Sequence, residues 1–151
     1  MKKLFALVLL AVMVTGFSGC SKDENEKASL VGAWNRVSRT SSFQGEVLYV
    51  EEFEGCETED NFEFLEDNQV IYQHDSDCNS HSTSKGEYDP IKKTLTIFYT
   101  DGGVNVVHTV TQVNANEIDL TATYDINTTD PTVPTPITET LRCKRGQSIP
   151  L

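Results

Sequence analysis

The sequence predicts an all-β domain of short antiparallel strands, in a closed barrel or a sandwich, behind an N-terminal export segment. Three observations predict it. From residue 29 onward apolar residues recur at period two, with Val, Ile, Thr, Tyr and Phe prominent, which is strand patterning. Turn residues punctuate that pattern at close spacing, and no stretch carries a helical period with caps. Ahead of it, Lys2 and Lys3 precede an unbroken apolar run of eleven residues, Leu4 to Val14, which exits through small residues to Gly19-Cys20. A basic start, a short apolar core and a small-residue exit make a secretory signal peptide, since a span would need about 20 apolar residues.

Taken in order, residues 1–19 read as the signal peptide and 20–28 as a polar, charged tether. The domain covers 29–146, and a short tail occupies 147–151. Strands are expected near 30–40, 45–53, 61–65, 69–74, 83–88, 93–99, 104–113, 116–124 and 137–144. Between them fall the turn signals Asp89-Pro90, Asp101-Gly102-Gly103 and Asn114-Ala115-Asn116. The longest break, Asn127 to Pro136, holds three prolines and reads as a loop before the last strand. Such a run of strands suits a barrel or a sandwich.

One hairpin can be read in register. Phe62 and Phe64 alternate on one strand, and Val70 and Tyr72 on the next. Antiparallel partners keep a constant index sum, so pairing Phe64 with Val70 sets Phe62 opposite Tyr72 and Asp60 opposite His74. The loop then centres on Asp67, with Asn68 where a left-handed residue is wanted. The same sum sets Cys56 opposite Cys78, which favours a structural Cys56–Cys78 disulfide in an exported chain. Cys143 is then left over, although sequence alone leaves the other two single bridges open. Cys143 shares a strand face with Leu141, opposite Arg142 and Lys144, and reads as a buried thiol.

Charge bounds the partners. The chain is formally −11, and removal of Lys2 and Lys3 leaves 10 basic against 23 acidic residues. Such a field excludes nucleic acid and anionic lipid as electrostatic partners. Glu46 to Asp67 holds ten acids, with no basic residue between Arg39 and Lys85. This run reads as a solvated face, or else as a site for divalent cations or a basic protein partner.

Two resemblances add to these readings. Phe17-Ser18-Gly19-Cys20 resembles the lipobox of bacterial lipoproteins, which implies that Cys20 becomes the lipidated first residue, with a diacylglyceryl thioether and an N-acyl chain such as palmitate. Ser21 resembles an outer-membrane sorting residue, and Lys22-Asp23-Glu24 resembles the export signal of Bacteroidetes surface lipoproteins. Further on, Gly32-Ala33-Trp34 resembles the Gly-x-Trp that opens lipocalins. Cys56, Asp60 to Phe64, Cys78, Gly86-Glu87-Tyr88, Thr94 to Ile97 and Val113 to Leu120 are similar, in their order, to the lipocalin-like domains of Bacteroidetes lipoproteins. The resemblance spans about 29–145 and implies an antiparallel up-and-down β-barrel of about 8–9 strands, with Trp34 closing one end.

Candidate chemistry is sparse. Val104, Val106, His108 and Val110 share one parity, so His108 faces inward if the valines do, beside Tyr49, Tyr72 and Tyr124. An apolar, aromatic interior with a few polar groups is what small-molecule sites look like. His74, Asp75, Asp77, Asn79 and His81 have metal-ligand types, but Ser80 and Gly86 stand where a calcium loop needs glycine and glutamate. No metal, cofactor or catalytic motif is read, and the chain is not read as an enzyme. The expectation is an outer-membrane, lipid-anchored, surface-displayed barrel that binds a small, largely apolar ligand through His108, Tyr49, Tyr72 and Tyr124. The rival is a filled barrel that engages a protein partner through its acidic face or loops.

Overall fold

The computed structural model describes residues 29–75, 81–99, 105–125 and 135–146. Among them are nine strands: β1 Gly32–Phe43, β2 Glu46–Glu52, β3 Asn61–Phe64, β4 Gln69–Asp75, β5 His81–Asp89, β6 Thr94–Phe98, β7 Val106–Asn114, β8 Glu117–Tyr124 and β9 Ile137–Arg145. Each expected strand is present, with its ends moved by a few residues. All neighbours pair antiparallel, and β1 also pairs with β9, so β1 and β3 to β9 close an eight-stranded barrel. β2 is the ninth strand, outside the ring. Closure removes the edges that an open sheet would leave unpaired.

β1 makes this possible by serving two neighbours on one edge. Gly32 to Asn35 pair with β3, whereas Ser38 to Phe43 pair with β2. A 3-10 turn, Gly55–Thr58, follows β2 and leads back to β3. At the branch point the Phe53 amide donates to Val37 and the Arg36 amide to Asp60. The sequence carries no signal for such a branch, and it places β2 as an ordinary barrel strand.

The β3–β4 hairpin takes the expected register: Phe64 pairs with Val70, Phe62 with Tyr72 and Asn61 with Gln73. Asn68 has φ 64°, the left-handed value that asparagine tolerates. Asp67 Oδ1 accepts the Gln69 amide and fixes the turn. The ladder stops one step short of the expected Asp60–His74 pair. Asp60, 3 % exposed, instead accepts a hydrogen bond from Arg36 Nη2, because a buried carboxylate needs a cation more than a cross-strand neighbour. Cys78, Asp77, Asn79, Val104 and Cys20 lie outside the described residues.

The core fills the end of the barrel where the chain enters. Trp34, Phe62, Phe64, Val70, Leu95, Ile97, Ile118 and Leu120 are all buried there. Phe62 stacks on Tyr72 with centroids 4.4 Å apart, and Phe64 meets Tyr88 edge-on at 5.5 Å. Position 86 has to be glycine because a Cβ there would come within 2.7 Å of Ile97 Cδ1 and 2.8 Å of the Thr96 carbonyl. Trp34 seals this end: its Nε1 donates to the Leu30 carbonyl at 2.7 Å, and the Arg145 guanidinium lies 4.2 Å from its ring. Arg145 also donates to the carbonyls of Ser29 and Val31, which ties the incoming chain to the last strand. Cys143 is free and fully buried, as expected, and burial pushes its thiol pKa up to about 12.

Candidate functional site

Toward the opposite end, the mouth, the inward residues change character. The register explains how they meet. Glu139 pairs with Ala122 on one side and Ser41 on the other, and Ser41 pairs with Tyr49. Extending the β7–β8 register by one step sets His108 beside Ala122. A single row therefore crosses five strands: His108, Ala122, Glu139, Ser41, Tyr49. Ala122 has only a methyl group, so the imidazole and the Glu139 carboxylate face one another across it.

Glu139 is half-buried and accepts hydrogen bonds from two hydroxyls. Ser41 Oγ donates to Oε1 at 3.3 Å, and the Tyr124 phenol donates to the same carboxylate. Burial, then this carboxylate, drive the Tyr124 pKa upward. One row deeper, Arg39 donates from Nε and Nη2 to Glu51 Oε2 at 2.9 and 2.6 Å. Its guanidinium also lies 5.9 Å from the Tyr49 ring centroid.

His108 is 8 % exposed, and its Nδ1 has no hydrogen-bond partner. Burial pushes its pKa down to about 4, against an upward pull from Glu139, so the ring is neutral at pH 7. Two further buried atoms lack a partner among the described residues, Asn35 Oδ1 and Arg36 Nε. Both belong to the branch point of β1, where Arg36 lies 4.4 Å from the Phe53 ring centroid.

Of the four residues expected to line a ligand, Tyr49 and Tyr124 stand at the mouth, and His108 lies further in on the row of Tyr49, paired with Leu95 of the core. His108 is buried there, whereas Tyr124 and Tyr49 keep 38 % and 45 % of their surface. Tyr49 reaches the site from β2, outside the closed ring. Tyr72 does not join them. It sits on β4 on the other side of the core, stacked on Phe62 and, at 5.0 Å, against His74, and burial raises its pKa to about 12. Sequence reasoning missed Glu139, Arg39 and Ser41. Glu139 had a signal, since it shares parity with the inward Leu141 and Cys143.

A separate hollow of about 760 Å³ lies at the opposite, closed end, between the incoming segment and the turns. Leu30, Val31, Phe64, Tyr88, Lys93 and Val113 line it, with none of the four expected residues. Its floor is the side chains that cap the core. It holds no unpartnered buried polar atom among the described residues, so the mouth carries the chemistry.

The comparisons agree with this architecture. A family model described as a lipocalin-like domain matches residues 30–120. The chain belongs to that family. No curated protein and no solved structure matches it. The match runs from the segment ahead of Trp34 to Leu120 on β8. A lipocalin-like barrel supports a ligand-binding protein in general terms.

Proposed function

We propose that this protein is an outer-membrane lipoprotein, anchored through Cys20 and displayed on the cell surface, whose lipocalin-like barrel binds a small, largely apolar ligand at its mouth. The observation that carries the binding reading is His108, nine-tenths buried with Nδ1 unpartnered, on an inward row that ends in the half-exposed Tyr49, with the part-exposed Tyr124 bonded to Glu139 of that row. Buried polar atoms are normally satisfied, and one without a partner in a barrel interior is a place where a ligand can supply it. The closed end is packed with aromatic and branched side chains, so the ligand occupies the mouth half and not the full depth. The lipocalin-like fold supports a binding role over an enzymatic one.

Anchoring rests on the lipobox-like Phe17 to Cys20. Several acyl chains at about 0.8 kcal/mol per buried CH₂ hold a protein at a membrane, where one chain would be marginal. Cys20→Ala should release the protein into the soluble fraction; retention of that variant refutes the anchor. A Cys56–Cys78 bridge belongs to the same proposal. It rests on the cross-strand index sum of the β3–β4 hairpin, which the paired residues Asn61 to Phe64 share.

Native mass spectrometry of the chain purified gently from its own kind of host tests the binding role. A reproducible adduct lost on denaturation supports it, and bare mass from repeated preparations overturns it. A second reading, a protein-interaction module, is favoured by β2. Val47, Leu48 and Val50 are exposed there beside Glu46, Glu51 and Glu52. A basic protein partner retained by the intact chain and lost on Val50→Lys supports that reading.

A further inference from the structure

The mouth is built for one kind of polar head, and this inference rests on the mouth reading above. Glu139 is the anchor of the argument. It accepts hydrogen bonds from two hydroxyls, Ser41 and Tyr124. The nearby guanidinium of Arg39 gives Nε and Nη2 to Glu51. With the imidazole neutral, Arg39, Glu51 and Glu139 together carry a formal charge of −1 in the mouth half. The deeper Arg36 is matched by Asp60.

Two aromatic faces flank that carboxylate. Tyr124 and Tyr49 remain partly exposed at the rim, and phenol rings attract cations through their negative faces. Across Ala122 stands His108, whose Nδ1 is a hydrogen-bond acceptor when the ring proton sits on Nε2. A half-buried carboxylate, a buried acceptor without a partner and two part-exposed tyrosines, one of which already meets a guanidinium, are complementary to a donor that is also a cation. They oppose an anion, which would meet Glu139 while Arg39 is already engaged.

We infer that the mouth selects amphiphiles with an ammonium head on an apolar body over those with a carboxylate head. The ammonium donates to Glu139 and to His108 Nδ1, with Tyr49 and Tyr124 beside it.

Calorimetric titration of the purified chain with decylammonium, decanol and decanoate, each below its micelle concentration, tests this. Decylammonium should bind at least about tenfold more tightly than decanoate, with decanol between. Glu139→Gln should bring decylammonium and decanoate to within about threefold of each other while leaving decanol unchanged. Glu54→Gln removes an exposed acid outside the barrel and should keep the preference, which separates the site from the general negative field. A readout independent of Glu139→Gln folding is the ¹⁵N resonance of His108 Nδ1, which should shift with decylammonium and not with decanoate. Equal or tighter binding of decanoate, or an unchanged preference in Glu139→Gln, overturns the inference. Decanol binding without head-group preference overturns it and leaves the mouth reading standing, whereas no binding of any probe removes both.

Discussion

The two halves of the barrel interior are made from the same strands and do opposite things. At the closed end, Trp34, Phe62, Phe64, Ile97 and Leu120 exclude water by volume. At the mouth, Arg39, Ser41, His108, Tyr124 and Glu139 project from equivalent inward positions, and their polar atoms set the geometry. The Arg36–Asp60 pair marks the boundary. Stability is thus concentrated in the apolar half, and the polar half is left free to be shaped for recognition. The difference teaches that a barrel can be both filled and receptive, by dividing those tasks along its axis.

Breaking the closed end should cost most. Trp34→Ala removes a fully buried ring, its hydrogen bond to Leu30 and its contact with Arg145, and should destabilise by about 3–5 kcal/mol. Urea midpoints check it, and a loss near that of a mouth variant would erase the division proposed here.

A smaller effect comes from protons at the mouth. His108 has a folded pKa of about 4, below its ordinary 6.5, so the unfolded chain binds the proton more readily. Its contribution to stability is complete above pH 6.5 and is lost as pH falls toward 4, amounting to at most about 3 kcal/mol. His108→Phe should lose less stability between pH 7 and pH 4.5 than the parent chain. Parallel slopes in the two chains would contradict the assignment.

The smallest effect sharpens the comparison. Tyr124→Phe deletes one hydrogen bond to Glu139 at a part-exposed rim and should cost about 1 kcal/mol or less. Unfolding curves should nearly superimpose.

Much of the fold was legible because strand logic is local. The β3–β4 register followed from four aromatic and aliphatic side chains and a turn residue, and Cys143 from its parity with Leu141. The branch of β1 was not legible. Its 12 residues carry one continuous pattern, and only the three-dimensional meeting of β2 and β3 on one edge divides it. The site was legible in part for a related reason. His108 stood out among valines, whereas Glu139 is one of 23 acids. What distinguishes it is Ser41, brought to it from 98 residues away. Tyr72 lies apart from the other three because parity gives the face of a strand and not which inward residues meet across the barrel.

β2 has a consequence for how copies of this protein live beside one another. Among the described residues it pairs with β1 only, and it shows water four consecutive apolar side chains, Val47 to Val50. Such a strand is a template for stacking into fibrils. Glu46 at one end and Glu51-Glu52 at the other act as gatekeepers, since a second copy laid antiparallel about Tyr49 would set Glu46 against Glu52. Two copies that approach strand to strand therefore meet like charges at both ends of the would-be ladder before its apolar middle can pair.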